Sequence, residues 1–291
     1  MRVPDFEYLE PRSVDEACAM LAEDPGHSSL FAGGTDMMVD LKLGAAGPRR
    51  VVSLRRIREL DEVTFEPAAG LTIGAMATVN RVAREDAVRR HYPGIVEAAR
   101  SLAADQVRNL ATVAGNLCAA VPSADMAPIL LVHGAKLRVV SPDGERVVPV
   151  ARFFVGPRQT VLGPTDVVVA IDVPAPRPGA GEASLRQGGR AALSLPMASA
   201  AALVDMEGDR CVRAVLALGA VAPTPILAPR VGESVSGKQL TDSLLVKAGE
   251  LAAAEAKPIS DVRASREYRL ELVKVLTRRV LARAAERARA A

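Results

Sequence analysis

The sequence predicts an α+β fold in two domains, and three observations carry that expectation. Residues 1–58 alternate β-prone runs with helix-compatible ones. From Asp61 to Val173 the pattern turns to short strands around Pro, Gly and Asp turns, which reads as hairpins. The stretch Pro174-Ala175-Pro176-Arg177-Pro178-Gly179-Ala180-Gly181 has the composition of a linker, and long apolar strands followed by long helices lie beyond it. The expected first domain is residues 1–175, with subdomains of about 1–58 and 59–175. The second is residues 182–291.

Ser13-Val14-Asp15-Glu16 is a capping box: hydroxyl and carboxylate each answer a free backbone N–H at a helix start. The helix it opens shows Val14, Ala17, Cys18 and Leu21 on one face, and Pro25-Gly26 stops it. A strand at Ser29–Phe31 runs into Gly33-Gly34, a helix follows over Met37–Leu43, and Arg50–Leu54 is a second strand. This predicts a β-α-β-α-β layer. Val63–Phe65 and Leu71–Ile73 flank Pro67-Ala68-Ala69-Gly70 as a hairpin. Thr78 caps a helix through Val82, and Tyr92-Pro93-Gly94 opens another over Ile95–Leu102. Ala124–His133 reads as an apolar helix with Asp125 in its first turn. Lys136–Ser141 and Arg146–Val150 pair around Pro142-Asp143-Gly144, and Val167–Val173 is one more strand. Past the linker come strands at Met197–Val204 and Val212–Val221. Helices follow at Leu244–Glu255 and from Ser265 to about Ala288, the last capped by Ser265.

Composition narrows the function. The 291 residues are 49% hydrophobic and 24% charged, ordinary for a globular chain. A net charge of +3 gives no argument for a polyanion partner, and five Phe, three Tyr and no Trp make a nucleic-acid stacking platform an unsuitable reading. Cys18, Cys118 and Cys211 stand far apart with no CxxC, so neither a zinc site nor an iron–sulfur cluster is expected on this chain. No window has the length of a membrane span and no apolar signal core follows Met1, so the expectation is cytoplasmic. Arginines crowd the last helix (Arg278, Arg279, Arg283, Arg287, Arg289), which suits a solvated helix end and also a docking surface.

Chemistry concentrates in two glycine turns. In Ala32-Gly33-Gly34-Thr35-Asp36 a strand enters two glycines and a helix leaves, which lets bare backbone N–H groups close on a phosphate. Taken alone, the pair is more often just a tight turn. Its weight comes from a second stretch of the same kind, Thr112-Val113-Ala114-Gly115-Asn116. Two facing turns can enclose a pyrophosphate. Neither carries Lys or Arg, so binding would rest on backbone donors helped by Thr35, Thr112 and Asn116. There is no GxxxxGK[ST] and no third glycine of a Rossmann fingerprint. His27, His91 and His133 lie in no catalytic pattern, and no general base is assigned. Asp36 and Asp125 suit ribose or ribityl hydroxyls, or equally helix caps.

Taken together, the two turns resemble the paired FAD loops of molybdenum hydroxylase flavoprotein subunits, the medium subunits of carbon monoxide and xanthine dehydrogenase-type enzymes. The resemblance extends through Pro122-Ser123-Ala124-Asp125, through Phe153 to Leu162, and through Asp261-Val262-Arg263-Ala264-Ser265-Arg266-Glu267-Tyr268-Arg269. It implies a vanillyl-alcohol-oxidase-type FAD domain of two α/β subdomains, then a domain with a small antiparallel sheet and a helical bundle. It carries pyrophosphate contacts to Ala32, Gly33, Gly34, Thr35 and Asp36, and to Thr112, Ala114, Gly115 and Asn116. A ribityl or ribose contact falls on Asp125. Leu102 and Val168 fall against the flavin ring, and Arg186 near its polar edge. It also implies partners: a small subunit with [2Fe–2S] clusters and a large molybdopterin subunit, in a dimer of heterotrimers. Electrons would pass from molybdenum through the clusters to FAD, and on to an external acceptor.

Two departures stand out. Ala114 occupies a position that is commonly glycine, which would cost roughly 1 kcal/mol or more if φ is positive there and nothing if it is negative. Leu102 stands where some members carry an aromatic. Alternatives are a self-sufficient flavin oxidase or reductase on the same fold, and an assembly subunit that has lost FAD.

Overall fold

A computed structural model describes residues 3–44, 47–190 and 192–290. The chain opens with β1 (Glu7–Leu9), α1 (Val14–Glu23), β2 (Ser28–Phe31), α2 (Met37–Lys42) and β3 (Arg50–Ser53). β3 lies between β1 and β2 and runs parallel to both, so the expected β-α-β-α-β layer is present. Ser13 Oγ accepts the Glu16 N–H at 3.1 Å, as a capping hydroxyl should. The return bond differs: Glu16 takes the N–H of Arg12, one residue earlier than the expected partner. Ala17, Cys18 and Leu21 of α1 bury against Val52 and Leu54.

The middle of the chain supplies β4 (Val63–Glu66), β5 (Gly70–Gly74), α3 (Val79–Arg84), α4 (Asp86–His91), α5 (Pro93–Ser101), α6 (Asp105–Arg108), α7 (Val113–Cys118) and α8 (Ala127–Val132). It continues through β6 (Lys136–Ser141), β7 (Gly144–Pro149), β8 (Phe154–Gly156), β9 (Gln159–Thr160) and β10 (Val167–Pro174). Five of these strands form an antiparallel sheet in the order β4-β5-β10-β6-β7. As its middle strand, β10 buries five of its eight residues, and apart from Asp172 it reads as an apolar run from Val167 to Val173. The core between this sheet and the helices is aliphatic, with Tyr92 and Phe153 its largest side chains.

The stretch expected as a linker is shorter than its composition suggests. β10 runs to Pro174 and β11 (Ala180–Gly188) starts before the stretch ends. β12 (Pro196–Glu207), β13 (Arg210–Gly219) and β14 (Ile226–Leu227) follow, then α9 (Pro229–Val235), β15 (Lys238–Gln239), α10 (Asp242–Glu255) and α11 (Arg266–Ala290). The sheet is antiparallel in the order β11-β12-β13-β14, with β15 also on β13. α11 packs across β11 and β12. Alanines at 198, 200 and 202 of β12, and at 284, 285 and 288 of α11, let helix and sheet approach closely. Arg269, 3% exposed, is held within that helix by the Met197 and Ala220 carbonyls and the Asp261 carboxylate.

Candidate functional site: a cleft between two glycine turns

The two turns meet. A Cβ built on Gly33 would lie 2.0 Å from the Leu110 carbonyl oxygen and 3.1 Å from Ala111 Cα, so only glycine permits this approach. Gly34 has φ +73°, and a Cβ there would stand 2.3 Å from the Phe31 ring. Around this left-handed residue the backbone N–H groups of Gly33, Gly34, Thr35 and Asp36 have no acceptor among the described residues. Successive unanswered N–H groups around one left-handed glycine form an anion-binding nest.

The second turn is tighter than a free loop. It is extended through Thr112 and becomes α7 at Val113, so Ala114 and Gly115 lie in the first turn of a short helix. Thr112 Oγ1 accepts the Gly115 N–H at 2.9 Å, which leaves its hydroxyl hydrogen to donate. Ala114 is helical, with negative φ, and glycine would gain nothing there. The Ala114 N–H also lacks an acceptor among the described residues. Asn116 Oδ1 takes the Met126 N–H at 3.1 Å, so its NH2 is the end left for a ligand.

These turns open onto a cleft of about 710 Å³. Ala32, Gly33, Gly34, Thr35, Asp36, Leu102, Thr112, Ala114, Gly115, Asn116, Asp125 and Val168 all line it. The polar part of the lining comes from the turns with Ser123, Asp166 and Ser194, and the apolar part includes Leu54, Leu102, Val107, Leu162 and Val168. No lysine or arginine is among the described lining residues, so any anion there is met by backbone donors.

The two aspartates differ from expectation in their surroundings. Asp36 precedes α2 but its side chain makes no capping bond. Its carboxyl is raised above the usual range, by desolvation first and by adjacent Asp40 second. Asp125 lies ahead of α8, not in its first turn, because Met126 is the N-cap. Burial pushes its carboxyl up to about 6, against the pull of Arg186. The Arg186 guanidinium meets Asp125 at 2.9 Å and the Ser194 carbonyl at 2.8 Å. Arg186 therefore stands one layer behind the cleft wall, orienting Asp125.

Sequence reasoning missed strained backbone in the cleft lining, at Ala103 and Leu193, and outside it, at Ala120 and Arg158. Ala103, Ala120, Arg158 and Leu193 all have positive φ without being glycine, each costing about 1 kcal/mol or more. They hold one another: Leu193 N–H donates to Ala103 O at 3.2 Å, and Arg158 N–H to Ala120 O at 2.8 Å. Alanine and leucine give no sequence sign of such backbone. Arg158 also clasps Asp40 of α2 at 2.7 Å, tying the β8–β9 hairpin to the first turn. Leu193, Ser194 and Leu195 bring a wall from the β11–β12 connection.

A cleft of this volume, lined by apolar side chains and by a nest of free backbone N–H groups, is the kind of site that suits a nucleotide cofactor. Comparison with known proteins narrows the class. Residues 4–176 match the family described as the FAD binding domain in molybdopterin dehydrogenase, and residues 183–284 the CO dehydrogenase flavoprotein C-terminal domain. The putative xanthine dehydrogenase FAD-binding subunit XdhB of Escherichia coli K12 is 32% identical over 96% of both chains. The carbon monoxide dehydrogenase medium chain of Afipia carboxidovorans is 32% identical over 98% of both. The crystal structure of Cu,Mo-CO dehydrogenase contains a chain that superposes with TM-score 0.95 at 31% identity, covering 99% of this chain and 100% of that one. Quinoline 2-oxidoreductase from Pseudomonas putida 86 gives 0.94 at 32% identity, with 99% and 100% covered. The chain belongs to the FAD-binding medium subunits of the molybdenum hydroxylases, the carbon monoxide and xanthine dehydrogenase family. It is the flavoprotein subunit of a multi-subunit oxidoreductase.

The residues present fit FAD. A nest of unanswered N–H groups suits the pyrophosphate without a side-chain cation, and the apolar stretch by Leu102 and Val168 suits a flat ring.

Proposed function

We propose that this chain holds FAD across the cleft in a defined order. Ala32 to Asp36 and Thr112 to Asn116 grip the pyrophosphate, and Asp125 binds a ribityl or ribose hydroxyl. Leu102 and Val168 flank the flavin ring, and Arg186 fixes the Asp125 carboxylate. What carries this reading is the approach of Gly33 to Leu110 beneath the row of free backbone N–H groups.

When bound, FAD supplies redox chemistry that links one-electron clusters to a two-electron acceptor. The protein's part is to bind, orient and exclude water. The turns neutralise the diphosphate through preorganised N–H dipoles, at no side-chain ordering cost. The aliphatic wall keeps water from one side of the ring. Asp125 needs no catalytic role, because its carboxylate is already engaged by Arg186. In the proposed assembly a [2Fe–2S] small subunit delivers electrons and a molybdopterin large subunit oxidises the substrate, as a dimer of heterotrimers in the cytoplasm. No helix among the described residues is long and apolar enough to cross a membrane. The domain division is 1–175 and 182–291.

Purification with the partner subunits tests the proposal. One FAD per chain is expected, together with cluster and molybdenum subunits. A colourless chain that takes up no FAD refutes the residue assignment. A flavin-loaded chain that turns over substrate without partners refutes the relay.

A further inference from the structure

A second cavity lies at the seam of the two halves of the chain. It measures about 660 Å³ and is walled by the end of α4, the residues after β10, the start of β11 and the end of α11. Five arginines line it: Arg89, Arg90, Arg177, Arg213 and Arg287.

Their counter-charges are too few. Arg177 and Arg213 share the single carboxylate of Asp205, at 2.9 and 3.8 Å. Arg287 shares Glu97 with Arg283, at 2.6 and 3.0 Å. Arg90 has no ion-pair partner among the described residues, whereas Arg89 reaches Asp86. Among the described residues, positive charge is thus unmatched at three points: at each shared carboxylate and at Arg90. Glu182 is the one acidic side chain among the described lining residues, and it is already answered. Its Oε1 accepts the N–H groups of Gly94 and Ile95 at 2.7 and 3.3 Å, and its other oxygen pairs with His133.

We infer that this cavity binds an organic phosphate of nucleoside-diphosphate size. Guanidinium forks match phosphate oxygens in pairs, and a diphosphate supplies several negative charges where a lone carboxylate supplies one. The volume is that of a small-molecule site, larger than phosphate alone requires. The site is separate from the flavin cleft: Pro93, at the start of α5, lines this cavity, while Leu102, just past its end, lines the other. This inference does not rest on the FAD assignment.

Calorimetric titration of the FAD-loaded complex tests it, with ADP, inorganic pyrophosphate and adenosine as probes. Loading with FAD keeps the flavin cleft from competing. ADP is expected to bind more tightly than pyrophosphate, and adenosine not at all. Binding should weaken as salt is raised. Arg90→Glu with Arg213→Glu should weaken ADP at least about tenfold. Arg278→Ala, on an exposed residue outside the cavity, should leave it unchanged. Both substituted arginines are exposed, so folding is expected to survive, and Arg90→Lys should give an intermediate loss. Failure of ADP to bind overturns the inference, as does an affinity indifferent to the double substitution. Equal affinity for ADP and pyrophosphate overturns the assignment to an organic phosphate.

Discussion

Replacing Gly33 by alanine strikes the cleft where its turns touch. φ at Gly33 is not positive, so alanine is conformationally admissible and the perturbation is steric. The new methyl would lie 2.0 Å from Leu110 O, 2.7 Å from Leu110 C and 3.1 Å from Ala111 Cα. All three are backbone atoms and cannot swing aside. Ordinary contact begins at 3.4 Å, so the turns must part by roughly 1.4 Å. Overpacking on this scale costs about 1–3 kcal/mol. Where that strain is felt in the complex, it corresponds to about 5- to 150-fold in the dissociation constant for FAD. Fluorescence titration of the apoprotein with FAD reads this directly, with Tm followed in parallel. Gly189→Ala is the control, because a Cβ there meets nothing within 4 Å. If Gly33→Ala binds FAD like the wild type and melts at the same temperature, the close approach of the turns is unnecessary and the reasoning is wrong.

Other outcomes follow from the same geometry. Ala114→Gly should lower stability by about 0.5–1 kcal/mol, since it puts glycine in a helix, and should leave FAD affinity unchanged; a gain in affinity would contradict the negative φ. Burial pushes the Asp125 carboxyl of the folded protein up to about 6, against 3.8 for a freely exposed aspartate. Between those pH values the folded state binds more protons than the unfolded, so this group's stabilising contribution declines as pH rises. Asp125→Asn should remove that decline, read as a Tm difference from wild type that changes between about pH 4 and 6; a constant difference counts against it. Glu97→Ala should cost about 1–2 kcal/mol in urea unfolding, because Arg283, Arg287 and the Ser184 N–H lose one shared acceptor.

The turns, their capping residues and most strands were legible because each depends on local chemistry. Ser13, Thr78 and Ser265 cap where their side chains say they should. What escaped was set by neighbours far along the chain. β11 hides in linker-like composition because Gly181 is there for close packing: a Cβ would stand 2.1 Å from Ala284 O. Glu182 in the same strand is buried to answer α5 and His133, which breaks any apolar alternation. α9 carries Gly232 for a like reason, against Ala214 O at 2.4 Å. At the candidate site, the meeting of the two turns on one cleft could be read and the positive-φ residues beside it could not. Positive φ at Ala103 and Leu193 goes with a backbone hydrogen bond from Leu193 N–H to Ala103 O, a long-range contact that neither residue type announces.

The wall supplied by Leu193, Ser194 and Leu195 ties the inheritance of the two halves together. The matched regions part near residue 180, yet the cleft proposed for the cofactor is upholstered from both sides of that division. A chimera joining the front of this chain to the rear of a relative would swap one side of the cleft without the other. Recombination between such subunits is therefore expected to succeed when the rear segment travels with the Ala103 and Asp125 stretches it leans on, and to yield flavin-poor protein when it travels alone.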